Sequence, residues 1–258
     1  MLLSDDDGRS FRQASKVPVS STLTAVTFSD ARHGWAAGHW GAIVAPQDGG
    51  ETWKLQRVDT STDQPLFSIG FLNASDGFAV GLWSLLLVTH DGGNTWTRVA
   101  VPKPVGGSRG DRNLYRIFTD HSKIIYVTAE QGSVLRSRDG GASWKWLETG
   151  GKGSLWAGAA RPDGRIFVGG LLGNMYGSAD EGESWSHVDS HASGSVTDLV
   201  ATRDGVVGVG LDGFVLKTRS GAPDFAATQR TDRAALTAVV INGKGIPVLF
   251  SKEGVVGR

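Results

Sequence analysis

The sequence contains no cysteine, which excludes disulfide bonds and metal sites built on thiolates, and which indicates no particular redox compartment. It also has no surplus of either charge, because 26 Lys and Arg residues balance 26 Asp and Glu residues. Binding to nucleic acids and polybasic attachment to membranes both need a basic surplus, so neither is expected. No apolar run approaches the roughly 20 residues that cross a bilayer, and direct membrane insertion is not expected either.

The first residues lack the features of a secretory signal. Asp5, Asp6 and Asp7 make this stretch acidic, whereas a signal peptide has a basic segment followed by an apolar one. As written, the sequence is therefore not expected to carry a cleavable leader, and the residues alone do not predict a compartment.

Glycine is present in excess. The chain has 37 glycines, about twice the usual share of ~7%, which indicates many tight turns. A six-residue box recurs with them at residues 48–53 (DGGETW), 91–96 (DGGNTW), 139–144 (DGGASW) and 180–185 (DEGESW), with a weaker copy around Asp6. The aspartates of the full copies are 43, 48 and 41 residues apart, and Asp6 lies 42 residues before the first. A period in the forties is typical of four-stranded propeller blades, which take about 40–50 residues.

The sequence between the boxes alternates as β-strands do. In the first repeat, residues 23–28 (LTAVTF), 35–38 and 42–45 are separated by turns rich in Gly and Asp, and Trp53 begins a fourth segment. Alternation with β-branched and aromatic residues between such turns favours strands over helices. We therefore predict an all-β propeller of four-stranded antiparallel blades, and a single domain, because no repeat can bury its apolar face alone.

Six repeats can be aligned, and the two ends of the chain complete each other. The last repeat stops before its box and fourth strand, and the first 13 residues supply both. We predict six blades, one of them closed by strands from both termini, which would hide the edges of an open array. Seven blades are the alternative, because residues 1–4 repeat the end of a third strand. The predicted blades span about 20–58, 64–101, 112–149, 152–189, 194–230, and 235–258 plus 1–13.

The aspartates of the boxes are predicted to be structural. A carboxylate at this position can accept N–H groups of its own loop, as in Asx turns, and the glycines supply positive φ. The tryptophan starts the outer strand and packs its large ring between blades. The residues assigned to this role are Asp6, Asp48, Asp91, Asp139, Asp180, Trp53, Trp96, Trp144 and Trp185.

The boxes are identified as Asp-boxes, also called BNR repeats, and the sequence between them resembles the Ycf48/HCF136-like photosystem II stability and assembly factors. Residues 28–43 (FSDARHGWAAGHWGAI), which run into the first full box, and residues 71–81 (FLNASDGFAVG) carry this resemblance, which extends over roughly residues 20–190. The resemblance implies a non-catalytic scaffold in the thylakoid lumen or periplasm. It also implies a protein partner, such as a membrane-protein complex, and no cofactor.

The alternative is a sialidase-like or other glycoside-binding or glycoside-hydrolysing propeller. Arg112 and Arg116 can lie near the axis with Tyr115, but a third arginine of a sialidase site is not evident. Glycoside hydrolysis needs two carboxylates that face a cleft. The acidic candidates outside the boxes are Asp111, Asp198 and Asp212, which are better explained as surface acids. The six histidines lack the spacing of metal ligands, so no catalytic residue and no metal site are expected.

The face opposite the boxes is the predicted binding surface. In a four-stranded blade, the turn between the second and third strands and the crossover to the next blade share this face. Trp and Arg are the residue types favoured at interaction hot spots. The competing interpretation is that Trp40 and Trp83 pack against neighbouring blades. The residues predicted to bind a partner are His39, Trp40, Trp83, Arg109, Arg112, Tyr115, Arg116 and Gln131.

Overall fold

The computed structural model describes residues 1–104, 110–218 and 224–256, and these residues fold almost entirely into β-strands. The strands are β1 (Leu2–Leu3), β2 (Arg12–Gln13), β3 (Leu23–Phe28), β4 (Gly34–Gly38), β5 (Ile43–Pro46), β6 (Trp53–Arg57), β7 (Leu66–Phe71), β8 (Gly77–Gly81), β9 (Leu86–Thr89), β10 (Thr97–Arg98), β11 (Leu114–Thr119), β12 (Ile125–Ala129), β13 (Ser133–Ser137), β14 (Lys145–Glu148), β15 (Leu155–Ala160), β16 (Ile166–Gly170), β17 (Met175–Ser178), β18 (Ser186–Val188), β19 (Val196–Thr202), β20 (Gly205–Gly210), β21 (Phe214–Thr218), β22 (Phe225–Gln229), β23 (Leu236–Ile241), β24 (Pro247–Ser251) and β25 (Gly254–Val255).

The strands form a six-bladed β-propeller of antiparallel blades, and the predicted fold class and number of blades are confirmed. Five blades are the four-stranded sheets β3–β6, β7–β10, β11–β14, β15–β18 and β19–β22. The sixth has three strands within the described residues, β23–β25, and β1 and β2 form a separate two-stranded sheet. The proposed sharing of one blade by both ends of the chain stays a prediction.

The chain divides into two compact units, residues 1–117 and 118–258. In the first unit, the core lies between the first and second blades. Trp35 stacks on Phe71 with 3.5 Å between ring centroids, and Trp96 meets Phe71 edge-on at 6.0 Å. Buried Ile43 and Leu87 pack in the same cluster. Large rings that interdigitate between blades bury the most apolar area for each residue.

In the second unit, three clusters fill the gaps between successive blades, and one of them joins Val209 of the fifth blade to Leu236 of the sixth. Tyr126 and Leu147 pack with residues of the fourth blade, and Phe167 packs with Leu199 and Phe225 of the fifth. The hydroxyl of buried Tyr126 donates to the carboxylate of Asp120 at 3.3 Å, and burial together with this negative charge raises the pKa of Tyr126. The predicted single domain and the predicted blade boundaries stay predictions.

The second strands of the first five blades are buried on both faces. β4 (GWAAG), β8 (GFAVG) and β16 (IFVGG) are buried along their whole length, because a neighbouring sheet covers each face. The sequences of such strands are continuous runs of small and apolar residues, without the alternation of apolar and polar residues that a half-buried strand has. In contrast, β3 alternates between half-buried and exposed residues.

The two ends of a blade carry different loops. The box beside Gly49 lies next to the first hairpin of its blade, because the N–H of Gly49 donates to the carbonyl of Arg32 at 3.0 Å. The turn that contains His39 lies at the other end, where the N–H of His39 donates to the carbonyl of Thr22 at 2.9 Å. The first blade therefore separates the box from the turns that were predicted to bind a partner.

Candidate functional site

Each full box is closed by its aspartate. In the second full box, Oδ1 of Asp91 accepts the N–H of Thr95 at 2.9 Å and Oδ2 accepts the hydroxyl of Thr95 at 2.7 Å. Thr89 Oγ1 donates to Asp91 at 2.8 Å and accepts the N–H of Gly93 at 2.9 Å. The boxes of Asp139 and Asp180 repeat this pattern through Ser137 and Ser178.

These hydrogen bonds stabilise the ionised carboxylates. They lower the pKa of Asp91, Asp139 and Asp180 to about 2, with Thr95, Ser143 and Ser184 as the main donors. Asp6, in the weak box, has the same geometry with Ser10 and also a pKa lowered to about 2. Carboxylates that are fully engaged within their own loops are poorly suited to acid–base chemistry near neutral pH. We therefore propose that they are structural.

Trp53 packs beside its own loop and within its own blade, whereas Trp96 reaches the preceding blade. The indole N–H of buried Trp53 donates to the carbonyl of Gly50 at 2.7 Å, and its ring meets Phe28 edge-on at 6.3 Å. The indole N–H of Trp96 reaches Oε1 of Gln56, in the first blade, at 3.4 Å. The tryptophan is the first residue of the outer strand only in the first of the full boxes; β10, β14 and β18 each begin one residue later.

On the other side of the first blade, Trp40 projects from a tightly held turn. The ring is 41% exposed and the backbone is left-handed, with φ of 59°. The N–H of Trp40 donates to Oδ1 of Asp63 at 2.8 Å, and its carbonyl accepts the N–H of Asp59 at 2.8 Å. His39 Nδ1 lies 3.1 Å from Oδ2 of Asp63. The N–H of Trp40, followed by His39, lowers the pKa of Asp63.

Trp83 occupies the same position in the second blade. Its ring is 50% exposed, and φ is 53° at Trp83 and 54° at Ser84. The N–H of Trp83 donates to Oδ1 of Asn113 at 3.0 Å, and the N–H of Ser84 donates to the carbonyl of Arg112 at 2.9 Å. Gln64 Nε2 donates to the carbonyl of Leu82 at 2.7 Å. Gln64 directly follows Asp63, which anchors Trp40. The segment that connects the first and second blades therefore holds both the turn of Trp40 and the turn of Trp83.

These two tryptophans have a backbone conformation that residues other than glycine rarely adopt. For a bulky side chain, the left-handed region costs roughly 1–2 kcal/mol, and such strain persists where surrounding contacts impose it, often at functional sites. At 41% and 50% exposure, Trp40 and Trp83 each present about half of their surface to solvent. The surface of the first unit formed by His39, Trp40, Trp83, Tyr115 and Arg116 is called the tryptophan surface below.

The tryptophan surface continues into an apolar groove on the first blade. The groove has a volume of about 550 Å³ and is lined by Trp40, Leu55 and Val58 of the blade and by Pro18 and Val19 of the preceding segment. Leu55 and Val58 are both exposed. Exposed apolar side chains that adjoin one another are typical of interaction sites.

The other predicted partner-binding residues differ in burial, and they do not all lie in the same unit. Tyr115 is half-buried and stacks on Phe67 with 5.8 Å between centroids, and Arg116 is half-buried. Arg112 is buried, with 5% of its surface accessible, and its backbone supports the turn of Trp83. Gln131 is exposed in the second unit, at the matching turn with φ of 59°. Arg109 lies outside the described residues.

The anchors of the turns were not predicted from the sequence. Asp63, Gln64 and Asn113 lie in the crossovers that lead into the second and third blades; Asp63 and Asn113 bond a turn of the preceding blade, whereas Gln64 bonds the turn of the second blade itself. A signal was present, because Asp and Asn in loops often accept backbone N–H groups. However, the partners are 18 to 30 residues away in the sequence, and only the strand pairing brings them together.

Within the described residues, no group of three or more His, Asp or Glu side chains could hold a metal ion. No helix in the same part of the chain is long and apolar enough to span a membrane.

Comparisons with known proteins agree with this architecture. No curated protein sequence matches the chain. A solved structure described as "YCF48 bound to D1 peptide" is 20% identical, covers 93% of this chain and 93% of that one, and has a TM-score of 0.51. YCF48 from Cyanidioschyzon merolae is 16% identical over 93% of this chain and 82% of its own, with a TM-score of 0.68. A streptogramin B lyase is 11% identical over 94% and 92% of the two chains, with a TM-score of 0.74.

At these identities the solved structures show a shared fold alone. The family model described as "Photosynthesis system II assembly factor YCF48" matches residues 4–207. This match covers more than half of the chain and includes the four full boxes and both tryptophan turns. The chain therefore belongs to the YCF48 family of photosystem II assembly factors.

Proposed function

We propose that this protein is a non-catalytic propeller that captures a protein partner on the tryptophan surface. The observation that carries the proposal is the pair of exposed indoles, Trp40 and Trp83, each held in a strained turn by a side chain from the next crossover. Preorganised aromatic side chains lose little conformational freedom on binding, so more of their contact energy appears as affinity. The structure of a family member bound to a D1 peptide supports a protein partner for this chain as well.

The charged and polar residues around the indoles suit a polypeptide partner. His39 and Arg116 lie among the residues of the tryptophan surface, and Arg57, in the outer strand of the first blade, donates to the carbonyl of Gly41 at 2.6 Å. An indole anchor surrounded by polar donors is the usual composition of an interaction hot spot. We propose that the partner is part of a membrane-protein complex, which the chain would meet in the thylakoid lumen or the periplasm.

The test compares partner capture by the wild type and by the double variant Trp40→Gly/Trp83→Gly. Glycine adopts positive φ readily, so the turns are expected to survive while the indoles are lost. Proteins retained from detergent-solubilised membranes of the source organism are quantified by mass spectrometry, and a D1 peptide is titrated directly. The double variant is expected to lose the partner that the wild type enriches.

Leu172→Gly is the matched control. Leu172 has the same turn position in the second unit, with φ of 58° and its N–H bonded to Ser195 Oγ at 3.0 Å. Its replacement makes the same backbone change outside the tryptophan surface, and capture is expected to be unchanged. Equal capture by the wild type and the double tryptophan variant would contradict the proposal.

A glycan is the second candidate ligand. Exposed indoles also suit stacking on a sugar ring because one face is apolar, and Trp40 lies in a groove of about 550 Å³. The streptogramin B lyase is an enzyme, and at 11% identity it shares only the fold with this chain. Binding on a glycan array, or turnover in a panel of fluorogenic glycosides, would favour this candidate over the protein partner.

A further inference from the structure

A cavity of about 310 Å³ lies in the second unit, between the outer part of the fourth blade and the start of the outer strand of the fifth. Phe167 and Val188 supply its apolar lining, and Arg165, Asp189 and Asp224 supply charges. Ligand pockets in proteins are roughly 300–1,000 Å³. The cavity is therefore of a size for a small metabolite rather than a folded partner.

The corresponding gap between the third and fourth blades is filled by an arginine of the chain itself. Arg136 is 4% exposed, and its guanidinium donates to the carbonyl of Glu181 at 2.6 Å and to the carboxylate of Glu183 at 2.7 Å. Arg136 pairs with Lys145 in the third blade, as Gly177 pairs with Ser186 in the fourth. Gly177 thus occupies the position of Arg136 and has no side chain, and Val188 and Phe167 approach it so closely that a Cβ would lie 3.1 Å and 3.2 Å from them.

A second substitution at the same gap enlarges the space. The outer strand of the fifth blade begins with Phe225, where the full boxes have tryptophan. Phe225 is fully buried and meets Phe167 edge-on at 5.2 Å. Asp224 precedes it, at the position where the full boxes have Thr or Ser. The gap has therefore lost an arginine and an indole, and has gained a carboxylate.

We propose that this cavity binds a basic amino acid, and that L-arginine fits it best. The aliphatic stem of the ligand lies on Phe167 and Val188, as the stem of Arg136 crosses the equivalent face of the third blade. Its guanidinium has five N–H donors and pairs with the carboxylates of Asp224 and Asp189; the second of these also accepts the N–H of His191 at 2.8 Å. Its α-carboxylate pairs with Arg165.

The charges of the cavity select a zwitterion with a basic side chain. A simple anion would be repelled by Asp189 and Asp224, and a simple cation would be repelled by Arg165. Arginine carries a positive guanidinium for the two carboxylates and a negative α-carboxylate for Arg165. Arg165 occupies the position that buried Ile124 has in the third blade. The strand register shows this, because Ile125 pairs with Ser137 in the third blade and Ile166 pairs with the equivalent Ser178 in the fourth. The third blade therefore has no charge at this position. His187 lines the cavity as well.

Isothermal titration calorimetry of the full chain with L-arginine, agmatine and L-glutamate tests the proposal. We expect one arginine per chain and no heat of binding from glutamate. Asp224→Asn should weaken arginine binding by about tenfold or more, the usual effect of removing a charged hydrogen-bond partner. Arg165→Gln should weaken arginine, which has the α-carboxylate, and leave the affinity for agmatine, which lacks it, unchanged.

Two further variants control for folding and position. Asp232→Asn alters an exposed acid that follows the fifth blade and pairs with Arg230, outside the cavity, and should bind arginine as the wild type does. Gly177→Arg supplies a guanidinium from the chain and should abolish binding. Its Cβ would lie 3.1 Å from Val188 and 3.2 Å from Phe167, so circular dichroism of this variant checks that the sheet has adjusted and remains intact. The absence of heat from millimolar arginine with the wild type, or undiminished binding by Asp224→Asn and by Gly177→Arg, would overturn the assignment.

Discussion

Glu181 shows how a single strained residue is stabilised by its surroundings. It has φ of 58° at a position of the box where Gly49, Gly92 and Gly140 have φ of 68° to 76°. Its carbonyl accepts a hydrogen bond from buried Arg136, and its carboxylate pairs with Arg138 at 2.6 Å. The strain is therefore offset by contacts across the gap between the third and fourth blades.

Glu181→Gly is expected to raise stability slightly. Relief of the left-handed strain is worth roughly 1 kcal/mol, and the exposed ion pair with Arg138 contributes roughly 0–1 kcal/mol. The Arg136 bond to the backbone carbonyl is retained. Urea unfolding should give a midpoint equal to that of the wild type or higher. Glu181→Gln keeps the strain and loses the ion pair, so its midpoint should be lower; the opposite order of these two variants would refute the explanation.

The identity of the surface tryptophans could be predicted from the sequence, but their conformation could not. His39-Trp40-Gly41 and Leu82-Trp83-Ser84 are recognisable as turns between strands, because apolar runs flank them. Positive φ at tryptophan has no sequence signal, since Gly and Asn are the residues usually found there. The burial of Arg112 was equally hidden, because it depends on a crossover that packs against the turn of the preceding blade.

At the scale of the element, the box is a hairpin closed by one carboxylate. Its geometry could be predicted, because Asp, Gly and Ser or Thr at fixed offsets favour an Asx-type loop. A second repeated loop was not predicted. Asp30, Asn73 and Asp120 each accept backbone N–H groups in the first hairpin of a blade, at 2.7 to 3.0 Å. The residue types are variable in this loop, so no fixed motif reveals it.

The boxes predict a loss of stability in acid. The folded-state pKa of Asp91, Asp139 and Asp180 is lowered to about 2, below the value of about 3.9 for an unfolded chain. A group whose pKa is depressed on folding contributes stability above its unfolded pKa, and this contribution disappears as the pH falls through the folded pKa. The melting temperature should therefore fall between about pH 4 and pH 2.

Asp91→Asn separates the box from other acid-sensitive groups. The amide cannot accept hydrogen bonds with both of its terminal atoms, so Thr95 loses one of its two contacts and the variant should melt at a lower temperature at pH 7. Between pH 4 and pH 2, the melting temperature of Asp91→Asn should fall by less than that of the wild type. Parallel melting curves for the two proteins across this pH range would show that Asp91 does not contribute.

Across the whole molecule, glycine has a role beyond the tight turns that its abundance indicates. The second strands of four blades end in a glycine with extended backbone, at Gly38, Gly81, Gly170 and Gly210. A Cβ on any of them would collide with the carbonyl of the residue that leads into the first strand of the same blade. These positions need glycine because two backbones approach closely, and not because of φ.

Gly81→Ala is therefore expected to destabilise the protein strongly. The added methyl group would meet the carbonyl oxygen of Pro65 and would lie 2.8 Å from the Cα of Leu66, and neither backbone can move without shifting β7. Overpacking of this kind typically costs 1–3 kcal/mol, and about 3 kcal/mol is expected here because the contact is with backbone. Gly153→Ala is the control, since its Cβ would meet only the side chain of Leu171 at 3.5 Å. Equal urea midpoints for the two variants would contradict the explanation.

The central claim is that Trp83 is held in a strained conformation for binding rather than for stability. Thermal unfolding and partner capture of Trp83→Gly, measured on the same preparation, test it most directly. The account predicts a melting temperature at least equal to that of the wild type, because roughly 1–2 kcal/mol of left-handed strain is relieved, together with a loss of capture. A variant that melts lower and captures its partner as well as the wild type would assign Trp83 to the fold, and the tryptophan surface would lose its functional basis.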